Sequence, residues 1–164
     1  MEARTPVERI HVFRDARPRE VYDVVVDFAA YARLFSEFKA VRVIEQTPER
    51  ARVEFRAELL LPLRYVLELR TSAEALTVDW TFVEGEVVTD ATGGWRFAPE
   101  GPAAGSGDAP HTRADYRASV SVKAPLPGFL VRKATDALVA ASLPGMFASI
   151  EKELRRRQQA APQP

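Results

Sequence analysis

The chain has 164 residues, 46% of them hydrophobic, which suits one domain with a sizeable core. Its 23 basic residues balance 23 acidic ones, so no global field draws it to DNA or to an anionic membrane, and any such partner needs a local patch. The absence of cysteine excludes disulfides, thiolate metal sites and cysteine nucleophiles together.

The first residues are mixed in charge and lack an apolar signal core. No later run approaches the roughly 18 apolar residues of a membrane span, so the expected location is the cytoplasm. Val7, Ile10, Val12 and Phe13 form a short, imperfectly alternating first strand over residues 7 to 14. Pro18 suits the first turn of a helix, Glu20 sits near its positive end, and Val21, Val25 and Phe28 follow on one face. A second short helix is expected to carry Tyr31, Leu34 and Phe35.

From residue 40 the apolar period changes to two. Val53, Phe55, Ala57, Leu59 and Leu61 alternate with Arg52, Glu54, Arg56 and Glu58, as in a strand with one wet face. Leu63, Tyr65, Leu67 and Leu69 form the next such series, and Leu76, Val78, Trp80 and Phe82 the one after, up to a turn at residues 84 to 86. Trp95 and Phe97 share a face of the following strand, where Gly93 and Gly94 predict a bulge or sharp bend. Residues 99 to 111 have the composition of a flexible hairpin loop, and the last strand turns Ala114, Tyr116, Ala118, Val120 and Val122 inward. From Phe129 to about Arg157 one long helix is expected, with Leu130, Ala134, Ala137, Leu138 and Ala141 on its inner face. Pro144 and Gly145 fall in its middle, where proline kinks the axis. Residues 1 to 158 are therefore read as one domain and 159 to 164 as a disordered tail.

This order gives an α+β architecture: a curved antiparallel sheet of six to seven strands wrapped around a C-terminal helix, with two short helices after the first strand. The charged positions, Arg52, Glu54, Arg56, Glu58, Arg64, Glu68, Arg70, Asp79, Arg96, Arg113, Asp115 and Arg117, share a parity and form mixed-sign ladders on the convex side. The concave face carries Phe55, Tyr65, Leu67, Trp80, Phe82, Trp95, Phe97 and Tyr116 opposite a helix whose facing residues are mostly small. Aromatic walls with polar tips facing small residues predict a cavity, and Tyr31, Phe35 and Phe38 are placed to close one end of it. A tryptophan at Ala137 is expected to fill this space.

Three stretches carry a family resemblance: residues 16 to 31 with Asp27 and Tyr31, residues 80 to 85 from Trp80 to a glycine, and Gly94, Trp95 and Phe97 followed by Thr112 and Tyr116. Through them, residues 7 to 157 resemble the coenzyme-Q-binding and polyketide-cyclase branch of the START-like helix-grip superfamily. Two departures stand out: no proline follows Tyr31 before Phe38, and Pro144 interrupts the last helix. The resemblance implies the helix-grip fold and a spread of roles: binding a polyprenyl quinone or another lipid, cyclising a polyketide, or docking on a ribosome.

The residues favour a carrier of an apolar small molecule, a quinone or lipid among the candidates, with transient membrane or protein contact. Histidines are confined to His11 and His111, which read as satisfied or solvent-exposed, and inward carboxylates are not evident in the strand pattern. No nucleophile motif, metal-ligand spacing or phosphate loop is present, so no catalytic residue, metal or cofactor is expected. The alternatives are a cyclase using Tyr65 or Tyr116 to polarise a carbonyl, and a protein- or ribosome-binding module using Lys152, Arg155, Arg156 and Arg157. Cations at a helix C-terminus complement its dipole, which is the plainer account of that cluster.

Overall fold

The computed structural model describes residues 6–58, 62–101 and 109–160. Leu59 and Leu61 of the alternating series, residues 102 to 108 of the expected loop and the tail from residue 161 lie outside the described residues. The elements run β1 (Val7–Phe13), α1 (Pro18–Val25), a 3-10 turn (Phe28–Ala30), α2 (Tyr31–Leu34), β2 (Phe38–Gln46), β3 (Arg50–Glu58), β4 (Pro62–Ser72), β5 (Thr77–Glu86), β6 (Val88–Glu100), β7 (His111–Val122) and α3 (Gly128–Ala160). The final helix thus continues two residues into the segment expected to be disordered.

The strands form one seven-stranded sheet in the order β1-β7-β6-β5-β4-β3-β2, antiparallel throughout. This is the expected helix-grip arrangement: local hairpins build the sheet from β2 to β7, and β1 pairs with β7 to bring the N-terminus back to the other edge. No helix among the described residues is long and apolar enough to cross a membrane.

The convex face carries the expected charge ladders. Arg64 donates to Glu54 at 2.9 Å and to Glu84 at 3.1 Å, and Asp79 accepts from Arg96 at 2.9 Å and from Arg117 at 2.8 Å. Hydrogen bonds from Arg64 and Arg42 hold the Glu54 carboxyl below the usual carboxylate range.

Gly93 and Gly94 do not form the expected bulge. Their register with β7 is unbroken, Gly93 opposite Ala118 and Gly94 opposite Arg117, and the irregularity in β6 lies between Val88 and Asp90. These glycines serve close approach instead. A Cβ on Gly94 would stand 2.7 Å from the Asp79 carboxylate, so its absence lets Asp79 reach across the strand to Arg117.

The interior has a filled half and a hollow half. In the filled half Phe13, Val21, Val24, Val25 and Phe28 pack with Leu143, Ile150 and Leu154, all buried. Phe147 sits at the centre of this packing, with ring centroids 4.6 Å from His11, 6.2 Å from Phe13 and 6.1 Å from Trp95. Buried Thr112 donates to the Ala16 carbonyl at 2.8 Å and fastens the chain entering α1 to β7. Glu20 accepts from the Arg17 N–H at 2.9 Å, closing the start of α1.

Two of the four cations at the basic end of α3, Arg156 and Arg157, are engaged in ion pairs. Glu153, buried on the helix, accepts from Arg156 at 2.8 Å, from Arg157 at 2.9 Å and from Arg33 of α2 at 3.3 Å, while Arg157 also reaches Asp27 at 2.8 Å. The Arg33–Glu153 and Arg157–Asp27 pairs therefore tie α3 to the α1–α2 region, while Arg156 pairs with Glu153 within α3.

Candidate functional site

The hollow half is a cavity of about 350 Å³ between the concave face and the N-terminal half of α3. Its size falls in the usual range for small-molecule sites, about 300–1,000 Å³. Every second residue of the central strands faces it: Phe55 and Ala57 from β3, Leu63, Tyr65, Leu67 and Leu69 from β4, Val78 and Trp80 from β5, Ala91 and Trp95 from β6, Tyr116, Ala118, Val120 and Val122 from β7. From α3 come Leu130, Val131, Ala134, Thr135, Leu138, Val139, Ser142 and Met146.

Of the residues expected at the wall, Tyr31, Phe35, Phe55, Tyr65, Leu67, Trp80, Trp95, Tyr116, Leu130, Ala134 and Leu138 line this cavity. Phe82, Phe97, Ala137 and Ala141 do not. Phe97 has the right parity but lies in the filled half, stacked on Trp95 at 5.4 Å. Phe82 lies beyond the end of the β5–β6 ladder, which runs from Thr77–Arg96 to Trp80–Gly93, and its ring rests near Gly85. Ala137 and Ala141 are exposed, because α3 is rotated so that Val131, Thr135, Leu138, Val139 and Ser142 face inward.

One end of the cavity is closed by aromatic rings. Tyr31 contacts Phe35 at 5.0 Å, Phe38 at 5.9 Å and Phe55 at 6.1 Å, and Phe55 stacks with Tyr65 at 5.3 Å. The Tyr31 hydroxyl donates to the Val25 carbonyl and so locks the ring over this end. Trp95, 4.7 Å from Tyr116, marks the border with the filled half.

Lys123 lines the cavity at its rim, and among the other polar side chains of the wall some are satisfied locally and some are not. Thr135 donates to the Val131 carbonyl at 2.7 Å and Ser142 to the Val139 carbonyl at 2.8 Å, so both are satisfied within α3. The hydroxyls of Tyr65 and Tyr116 and the carboxylate of Glu37 have no hydrogen-bond partner among the described residues. Burial pushes both tyrosines well above the ordinary tyrosine value, and the charge of Glu37 adds to the shift of each, so they stand as neutral O–H donors. Glu37 is thus an inward carboxylate that strand periodicity could not show: it lies between α2 and β2, where no repeat assigns a face.

The histidines stand apart from the cavity. His11 Nε2 is 2.7 Å from Glu151 Oε1, and His111 Nδ1 accepts from the Asp15 N–H at 3.1 Å. No cluster of metal-ligating side chains occurs among the described residues.

Similar architectures occur in solved structures. TTHA0849 from Thermus thermophilus superposes with a TM-score of 0.78 at 21% identity, covering 92% of this chain and 97% of that one. The Zhui aromatase/cyclase from Streptomyces sp. R1128 gives 0.79 at 17% identity, covering 94% and 96%. A START superfamily protein from Mycobacterium smegmatis gives 0.71 at 18% identity, covering 93% and 98%. At these identities the likeness is one of fold. No curated protein matches the sequence. The sequence profile for polyketide cyclase / dehydrase and lipid transport proteins matches residues 15–146, most of the chain, and with the helix-grip fold and its cavity this establishes that the protein belongs to that START-like family.

Proposed function

We propose that this protein holds a hydrophobic small molecule with an oxygenated end in the cavity between sheet and α3, and acts as its carrier. The observation that carries this is an apolar cavity whose wall holds the unpartnered hydroxyls of Tyr65 and Tyr116 and the unpartnered carboxylate of Glu37. Apolar walls favour a hydrocarbon or aromatic body without specifying it. Each buried donor or acceptor left unmatched costs about 1–3 kcal/mol, so a ligand that presents oxygens to this end is preferred over a bare hydrocarbon. A polyprenyl quinone, another lipid or a polyketide-like aromatic fits this description.

Native mass spectrometry of the protein purified from its host, followed by organic extraction, tests the carrier. A stoichiometric, oxygen-bearing apolar molecule supports it. An empty protein that also fails to take up apolar dyes overturns it.

A second reading, cyclase-type catalysis, is favoured by Glu37 lying near Tyr65 and Tyr116. A carboxylate can accept a proton from a carbon next to a carbonyl while a neutral tyrosine hydroxyl hydrogen-bonds the carbonyl oxygen, where negative charge develops. The fold neighbour named as an aromatase/cyclase makes a poly-β-ketone the substrate class to try. If Glu37 is the base, Glu37→Gln lowers kcat on such a substrate with little change in KM; for a carrier, it changes binding alone.

A further inference from the structure

Where β7 hands over to α3, large apolar side chains stand in water close together in the chain: Leu126, Phe129 and Leu130 are 62%, 65% and 45% exposed. Leu126 and Leu130 also line the cavity, so the apolar surface runs from the outside of the molecule into its interior. Between Asp115 and Asp136 every charged residue is basic: Arg117, Lys123, Arg132 and Lys133. Arg117 is held by Asp79 on the convex face, whereas Lys123, Arg132 and Lys133 form no ion pair among the described residues. The sheet brings Glu86 to the same rim, next to Val87, whose carbonyl accepts the Lys123 N–H at 2.8 Å.

We propose that this rim docks on an anionic lipid surface, with Phe129 and Leu126 entering the acyl region and Lys123, Arg132 and Lys133 lying among the headgroup phosphates. Adjacent exposed apolar side chains on a soluble domain mark a site of contact. Three exposed apolar side chains are far fewer than the about 20–30 residues that each side of a stable protein interface contributes, which disfavours a second copy of the chain. A bilayer leaflet matches the observed layering, because its hydrocarbon begins directly beneath a negatively charged plane, and apolar anchors with neighbouring cations engage both. With no net charge on the chain, attraction to the membrane rests on local cations such as these, so docking is weak and sensitive to salt. Contact at the rim would let an apolar ligand pass between bilayer and cavity without crossing water. The docking itself does not depend on the ligand reading and is measured on the protein without added ligand.

Co-sedimentation of the full chain with phosphatidylcholine vesicles containing phosphatidylglycerol tests it. The expected result is binding at low salt that falls about tenfold or more at high salt, in Phe129→Ser, and in Arg132→Glu combined with Lys133→Glu. Binding should be absent with phosphatidylcholine alone and unchanged in Ile10→Ser, which alters an exposed apolar side chain on the edge strand β1. Phe129 does not line the cavity, so dye uptake by Phe129→Ser serves as its folding control. No binding to anionic vesicles at low salt, or equal binding by the wild type and both rim variants, overturns the proposal. A dimer in solution that Phe129→Ser turns into a monomer also overturns it, by assigning the face to self-association.

Discussion

The indole of Trp80 lies directly over Gly93 on the neighbouring strand: a Cβ on Gly93 would stand 2.4 Å from Trp80 Cζ2 and 2.4 Å from the Arg117 carbonyl oxygen. The glycine therefore sets how deep the ring sits, and Trp80 in turn meets Tyr116 at 5.9 Å across the cavity wall. Gly93→Ala has to move either the ring or β7. The expected outcome is a loss of about 2–3 kcal/mol in urea unfolding with a shifted tryptophan emission, well beyond an exposed-strand substitution.

Glu153 is the joint between the end of α3 and the short helices. Replacing it with glutamine keeps the shape but leaves Arg33, Arg156 and Arg157 without their shared carboxylate. Because those guanidinium groups remain partly solvated, the expected loss is about 1–3 kcal/mol, below that for a fully buried pair. Hydrogen bonds from Arg156 hold the Glu153 carboxyl far below its ordinary value of 4.5, with Arg33 and Arg157 adding to the effect against the opposing influence of burial. A depressed folded-state pKa means that the unfolded chain takes up the proton first as pH falls. The stabilisation is complete above about 4.5 and declines progressively below it, and Glu153→Gln should flatten that acid limb of the stability–pH curve.

Filling the cavity separates the observed helix face from the expected one. Ser142→Trp projects a large ring into the hollow half and should abolish uptake of an apolar fluorescent dye while circular dichroism stays native. Ala137→Trp, which adds the same volume on the exposed side of α3, should leave uptake unchanged. Titration of the dye against both proteins checks the pair.

Gly145 lies inside α3, with no atom within 4 Å of where a Cβ would be. Gly145→Ala therefore gains helix propensity without a clash and should stabilise by about 0.5–1 kcal/mol, read as a higher urea midpoint with an unchanged m-value.

Strands are legible in the sequence because one wet face and one dry face impose a period of two that charged residues mark unmistakably, as in Arg52 to Glu58. The inner face of α3 is not. Its apolar and small residues run almost all the way around, Leu130, Val131, Ala134, Ala137, Leu138, Val139, Ala140 and Ala141, so a 3.6-residue period selects no face. Polar Thr135 and Ser142 then turn inward because each bonds its own helix backbone, a local solution that hydropathy does not register. Glu37 escapes for a related reason: side chains in a short connection obey no repeat, and only the packing of α2 against β2 and its neighbours aims it. Phe97 and Phe82 show that strand parity selects a face of the sheet without saying whether that stretch lies over packed core, cavity or a ladder's end.

The division of the interior near Pro144 implies that α3 does not open as one unit. Its C-terminal half is clamped by Leu143, Phe147, Ile150, Leu154 and Glu153, whereas the N-terminal half rests on a void. Amide hydrogens of residues 129 to 142 should exchange through local openings far less costly than global unfolding, and those of residues 147 to 154 only with the whole fold. A bound ligand supplies the missing contacts, so it should slow exchange selectively in the first segment and raise the melting temperature with its concentration. In the proposed carrier, the same looseness would be the way in and out for an occupant, with the sheet undisturbed.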